Sequence, residues 1–191
     1  MRLEPVAGTN ILFVDNDEIR LGHTWHEVDV IKRIIRKEDP EWFIEIGVHE
    51  GGLSKLLIPE YIDMHYLGIE LDTSLTREIV KQTYRDFGHE LLGLNCFDIN
   101  LLSRVAKLPR KIIYCDGGNK SQELMAYKHC MQKGDLIFTH DFWDGIRKVH
   151  SVSEVHPEVY PLDILHMDTS EFERYPEKVL RATRIVGWRK L

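Results

Sequence analysis

The chain has 191 residues, 43% of them hydrophobic and 29% charged, which suits one soluble domain able to bury its own core. Its formal net charge of −6 argues against non-specific nucleic-acid or anionic-membrane binding, which needs a basic footprint. No apolar run approaches the roughly 18–20 residues of a membrane span, the polar N-terminus does not read as a signal peptide, and an odd set of cysteines (Cys96, Cys115, Cys130) with no CxxC pair points to a reducing, cytoplasmic setting.

In chain order, residues 1–25 read as irregular, with a short strand at "NILFV" and a turn at "DND". Val28, Ile31, Ile34 and Ile35 recur at helical spacing and predict a helix over 27–36, closed by "EDP". "WFIEIG" predicts a strand stopped by Gly47, and "EGGLSKLLIPEYI" a glycine-opened helix. "HYLGIELD" is a second strand, and "SLTREIVKQTYRDF" a helix with Ser74 as N-cap. "HELLGLNCFD" carries a third strand, followed by the helix-like "INLLSRVAKL". "RKIIYCDGG" is a fourth strand, "SQELMAYKHCMQ" a helix and "GDLIFTHD" a fifth strand. "WDGIRKVHSVSEVH" reads as a further helix or lid. "YPLDILHM" and "ATRIVGWRKL" read as two closing strands, joined by the solvated connection "EFERYPEKVLR".

Repeated strand–helix alternation calls for an α/β fold, a parallel sheet with helices on both faces. Such sheets bind ligands beyond the carboxyl ends of their strands. Acidic residues recur there: Glu45, Glu70, Asp98, Asp116 and Asp141. Between the first sheet strand and its helix, "EIGVHEGG" places Gly47, Gly51 and Gly52 in a tight turn. The spacing is GxxxGG rather than GxGxxG, and His49 stands where a pyrophosphate would need glycine. A nucleoside ligand without phosphates therefore suits the turn better than a dinucleotide. Glu70, about 20 residues beyond, can accept hydrogen bonds from both hydroxyls of a ribose. Asp98 could reach the exocyclic amine of an adenine. The alternative is that the glycines only tighten a strand–helix turn and the acids are solvated.

"FIEIGVHEGGLSKLL", "YLGIELD", "NCFDI", "IIYCDGGNK" and "GDLIFTHDF" resemble, in order, the motifs of class I S-adenosylmethionine-dependent methyltransferases. The resemblance covers roughly residues 25–150. Within that class it is most similar to the macrocin/rhamnosyl O-methyltransferases and the cephalosporin-hydroxylase-like group. It implies a Rossmann-like fold: a mostly parallel seven-stranded sheet closed by a C-terminal antiparallel hairpin. It implies S-adenosyl-L-methionine as cofactor, with Glu45 and Gly47 under its methionine part. Gly51 and Gly52 would then shape the turn, Glu70 hold the ribose, and Asp98 with Cys96 or Phe97 flank the adenine; Asp116 borders the same site. The implied activity is O-methylation of a small-molecule hydroxyl.

Asp116 and Asp141 end the fourth and fifth strands, which are neighbours in this fold, and neighbouring strands lie about 4.8 Å apart. The two carboxylates could therefore share a divalent cation such as Mg2+, with His140 as a further ligand. Such an ion would lower the pKa of a substrate hydroxyl and aim it at the sulfonium methyl. The chain departs from the resembled magnesium enzymes twice. His140 replaces an acid, and Asn119 replaces the histidine suited to general-base work. The base then falls to His140 or Lys120, or to the metal alone. A histidine ligand shifts preference toward manganese, iron or zinc. Against this, Asp141 could simply cap a helix and "DGGNK" is a good turn.

His23, Trp25 and His26 precede the first predicted helix, and Trp143 follows Asp141. They read either as packed side chains or as a substrate cover and wall. The expectation is one domain over 1–191, with residues 1–26 as a segment that covers substrate or contacts a second copy. Two rivals stay open: a non-catalytic cofactor- or partner-binding module on the same fold, and a nucleotide-dependent sugar or redox enzyme.

Overall fold

The computed structural model describes residues 4–5, 11–14, 17–140, 170–180 and 183–191. Among these residues two sheets are formed. The small one is antiparallel and runs in the order β1 (Glu4–Pro5), β2 (Ile11–Val14), β3 (Asp17–Arg20). It corrects the expectation of an irregular N-terminus. Leu12, Val14 and Ile19 are fully buried and alternate with exposed neighbours, the period of a strand with one dry face.

The main sheet is built from β4 (Trp42–Ile46), β5 (His65–Glu70), β6 (Glu90–Gly93), β7 (Lys111–Cys115), β8 (Leu136–Thr139), β9 (Phe172–Arg174) and β10 (Val186–Lys190). Their spatial order is β6-β5-β4-β7-β8-β10-β9. The first five are parallel, and β10 runs antiparallel to both β8 and β9. The chain order reverses direction between β4 and β7, the place where open α/β sheets bind ligands.

Burial on both faces explains the near-continuous apolar strands. Phe43, Tyr66, Tyr114 and Phe138 point to one core and Ile44, Leu67, Ile113 and Ile137 to the other. The first core is closed by α1 (Trp25–Glu38), α2 (Gly52–Leu57) and α3 (Glu78–Asp86), and the second by α4 (Ile99–Lys107) and α5 (Lys120–Tyr127). A short helix, α6 (Glu177–Leu180), precedes β10. Among the described residues no helix is long and apolar enough to cross a membrane.

Three boundaries differ from expectation. Helix α1 starts two residues early, at Trp25, because Thr24 and Glu27 form a capping box. Ser74 does not cap α3. Its N–H and hydroxyl both donate to Asp72 Oδ1 (3.0 and 2.6 Å) in a turn, and Arg77 is the N-cap. The expected solvated connection supplies β9, since buried Phe172 pairs opposite Lys190 in the closing hairpin. The strand expected at "YPLDILHM" and the helix expected after Asp141 lie outside the described residues.

Candidate functional site

Strand β4 delivers the chain into the glycine turn. Gly47 has φ +85°, and a Cβ there would come within 2.5 Å of Gly117 Cα and 2.6 Å of Asp116 O. The turn after β4 and the turn after β7 thus touch backbone to backbone, which only glycine permits. A Cβ on Gly52 would lie 2.5 Å from Arg20 O and Leu21 Cα, so the N-terminal hairpin sits on the start of α2. The Arg20 N–H also donates to Glu50 Oε2 (3.0 Å).

Glu70, at the end of β5, reaches back into this turn. Its Oε2 accepts from His49 N (2.8 Å) and its Oε1 from Asp72 N (3.1 Å). Beyond it along the sheet edge, Leu71 and Phe97 expose apolar side chains, 74% and 38% accessible. Asp98 caps α4, its Oδ1 accepting from Asn100 N and Leu101 N (2.9 and 3.1 Å). Cys96 is half-buried and its carbonyl accepts the Tyr127 hydroxyl (2.8 Å).

Glu45 sits apart from these groups, inside the helix-covered face. Ser54 Oγ and Tyr66 OH both donate to its Oε2 (2.6 and 2.7 Å), and Tyr84 OH donates to Ser54 Oγ (3.0 Å). Burial pushes the Glu45 carboxyl up to about 8, against the pull of these two donors. It anchors the underside of the turn.

The second half of the site lies where β7 and β8 end. Cys115 pairs with Thr139, so Asp116 and His140 emerge side by side. His140 Nδ1 is 3.0 Å from Asp116 Oδ1. His23, carried in ahead of α1, stacks on His140 with ring centroids 4.3 Å apart. Its Nε2 lies 2.8 Å from Tyr114 OH and 3.3 Å from Asp116 Oδ2, and its Nδ1 lies 3.0 Å from Leu21 O. The far nitrogen of His140 is 3.5 Å from Glu27 Oε1. Glu27 is itself held by Thr24 N (2.8 Å) and by Arg184 N and Nε (3.0 and 3.1 Å).

Charge follows from this packing. Burial raises the carboxyls of Asp116 and Glu27, but the surrounding bases outweigh it and leave both below the usual carboxylate range. For Asp116 these are His140, His23 and Lys120; for Glu27 they are His140 and Arg184. Burial lowers the His23 imidazole despite the neighbouring Asp116.

Of the two other candidates here, Lys120 Nζ donates to Gly117 O (2.8 Å) and lies 3.7 Å from Asp116 Oδ1. Asn119 caps α5 through its side-chain oxygen, which accepts from Gln122 N (3.1 Å). Asp141 and Trp143 lie outside the described residues.

Sequence reasoning passed over Glu27, Arg184, Tyr114 and Glu123. Glu123 is buried and accepts from Gly117 N and Asn119 N (both 3.1 Å), holding the turn after β7; burial brings its carboxyl up to about 7. The one available signal was Thr24-Trp25-His26-Glu27, a capping-box spacing that fixes the helix start beside His23.

No family model matches the chain, and no curated protein does. Solved structures do. A protein assigned as a caffeoyl-CoA O-methyltransferase from Staphylococcus aureus superposes with a TM-score of 0.64 at 17% identity, over 86% of this chain and 83% of that one. One assigned as an O-methyltransferase from Klebsiella pneumoniae gives 0.61 at 14% identity, over 87% and 80%. The chain has the class I methyltransferase fold. A mutant of MtNAS in complex with S-adenosylmethionine also matches, with a TM-score of 0.53 at 13% identity over 86% of this chain and 62% of that one. At such identities the likeness is one of fold, and function has to be argued from the site.

Proposed function

We propose that this protein is an S-adenosylmethionine-dependent methyltransferase acting on a hydroxyl of a small molecule. The observation that carries the reading is the meeting of the glycine turn with the turn after β7 at Gly47 and Gly117, with Glu70 on one side and Asp116–His140 on the other. The Glu70 carboxylate, aimed along the turn, suits a ribose diol. The exposed Leu71 and Phe97 suit the faces of an adenine, and Asp98 keeps Oδ2 for its amine while Oδ1 caps α4. The complex of S-adenosylmethionine with the MtNAS mutant supports this choice of cofactor. That cofactor, when bound, supplies an electrophilic methyl on sulfur.

The remaining work belongs to the strand ends. An acceptor hydroxyl beside Asp116 and His140 would be oriented by the carboxylate and, where no ion is bound, would pass its proton toward the imidazole. Lys120, fixed on Gly117 O, would add positive charge beside Asp116. The motifs add a divalent cation, which Asp116, His140 and Asp141 would hold, Asp141 lying outside the described residues. In this reading His23 closes one side of the site from the N-terminal segment. The finer likeness to the macrocin/rhamnosyl and cephalosporin-hydroxylase-like group rests on the motifs alone.

Isothermal titration with S-adenosylhomocysteine tests the reading. Micromolar binding is expected, and no binding at millimolar ligand sinks it. A cofactor-binding module that transfers nothing is the second reading, favoured by Asn119, which caps a helix where the resembled enzymes carry a base. Methyl transfer to any acceptor in a metabolite mixture rules it out.

A further inference from the structure

We infer that His23, Asp116 and His140 form a site for one divalent transition metal, with the segment ahead of α1 supplying a ligand that the sheet does not. The inference deepens the methyl-transfer reading and rests on it for the use of the ion, though not for its binding.

The first argument is spacing. His23, Asp116 and His140 each offer a ligand atom, and these atoms all lie within 4.8 Å of one another. The measured edges are 3.0 Å from Asp116 Oδ1 to His140 Nδ1 and 3.3 Å from Asp116 Oδ2 to His23 Nε2. Two atoms bonded to one metal at about 2.1 Å stand about 3.0–3.4 Å apart between octahedral and tetrahedral angles.

The second argument is the far side of each ring. A histidine that ligates a metal gives its other N–H to a carbonyl or carboxylate, which fixes tautomer and orientation. His23 has Leu21 O at 3.0 Å from Nδ1. His140 has the Glu27 carboxylate 3.5 Å from Nε2, and Arg184 clamps that carboxylate in turn. Both rings are therefore oriented from behind with the opposite nitrogen aimed at Asp116. With the His23 proton on Nδ1, toward Leu21 O, the Nε2 lone pair is open to an ion beside Asp116, which would take the place of the Tyr114 hydroxyl on that nitrogen.

The third argument is ligand chemistry. Two imidazoles and one carboxylate suit zinc, iron, cobalt or manganese, whereas magnesium prefers an all-oxygen shell. Three protein ligands also leave positions for a water or a substrate oxygen. The ligands come from three separate places in the chain, so the site forms only when the N-terminal segment is seated on the sheet.

The test uses the full chain stripped with chelator, titrated with Co2+ and followed by visible absorption, with Zn2+ binding by calorimetry. One ion per chain is expected, with nitrogen-ligated cobalt bands. His23→Ala should weaken Co2+ binding by about 100-fold or more, since even residues behind the ligands cost about 10–100-fold. His23→Gln keeps a polar side chain of similar reach and guards against a folding defect; it should lose the ion while its circular dichroism matches wild type. Absence of Co2+ and Zn2+ binding overturns the proposal, as does wild-type affinity in a folded His23→Gln protein. Mg2+ displacing Co2+ at equal concentration overturns the metal class. S-adenosylhomocysteine titrated in parallel separates the two readings. Cofactor binding without Co2+ binding removes the metal alone, and Co2+ binding without cofactor binding removes the methyl-transfer reading alone.

Discussion

Arg184 and Glu27 lie 157 positions apart, yet the backbone N–H and the Nε of Arg184 both donate to Glu27 Oε1, at 3.0 and 3.1 Å. The residue just ahead of β10 thereby holds the carboxylate that stands behind His140. Glu27 is 2% exposed and its ionised form is favoured. Glu27→Ala removes a buried carboxylate whose Arg184 partner is about a third exposed, and one half of the capping box. It should cost about 2 kcal/mol in urea unfolding, the size of a lost cap and charged hydrogen bonds, and should free the His140 ring. A loss under about 0.5 kcal/mol would mean the clamp is no stronger than a surface ion pair.

Glu45 gives a pH dependence of defined sign. Its carboxyl is about 8 in the fold and 4.5 by reference, so the folded state holds a proton that the unfolded chain releases between those values. The associated stability is full below about pH 4.5 and is lost as pH rises toward 8. Glu45→Gln carries no such proton. The wild-type-minus-variant difference in thermal midpoint should therefore fall from pH 5 to pH 8, by on the order of a few kcal/mol when converted. A flat difference would mean Glu45 is ionised throughout.

Glu70 should matter more for binding than for folding. Glu70→Gln loses the charge that would strengthen two hydrogen bonds to a ribose, each worth roughly 1.5–3 kcal/mol. S-adenosylhomocysteine affinity should drop by at least about tenfold, read by calorimetry, with the thermal midpoint little changed. Unaltered affinity would move the ribose elsewhere.

Gly47→Ala should damage both halves of the site at once. The residue has φ +85°, and its new Cβ would press on the backbone of Gly117. The strain of a left-handed alanine is about 1–2 kcal/mol before the clash is counted. Cofactor affinity and Co2+ affinity should fall together. If only one falls, the two turns move independently.

The sheet was readable because its strands obey one rule. "WFIEI", "KIIYC" and "LIFT" are buried on both faces, and Gly47, Asp116 and His140 stop them. The N-terminal hairpin was harder, since Asp17–Arg20 carries three charged residues and only Ile19 is buried. In the site, Glu70, Asp116 and His140 could be read from their places at strand ends. His23 could not be assigned, because nothing local distinguishes a packed histidine from one carried to the sheet. Glu27 and Arg184 were invisible for a related reason: each is an ordinary helix or loop charge until the tertiary structure brings them together. Asp98 and Asn119 show the converse: each caps a helix, chemistry readable in sequence beside the cofactor and catalytic places expected of them.

Strand β10 is inserted between β8 and β9, and Arg184 enters just before it. During synthesis on the ribosome, His23, Asp116 and His140 are all made long before the clamp that steadies them. A nascent chain stopped short of residue 184 would hold those side chains with Glu27 unclamped and the edge of β8 open. Glu27 is therefore clamped, and the edge of β8 paired, only once the chain has been made through β10.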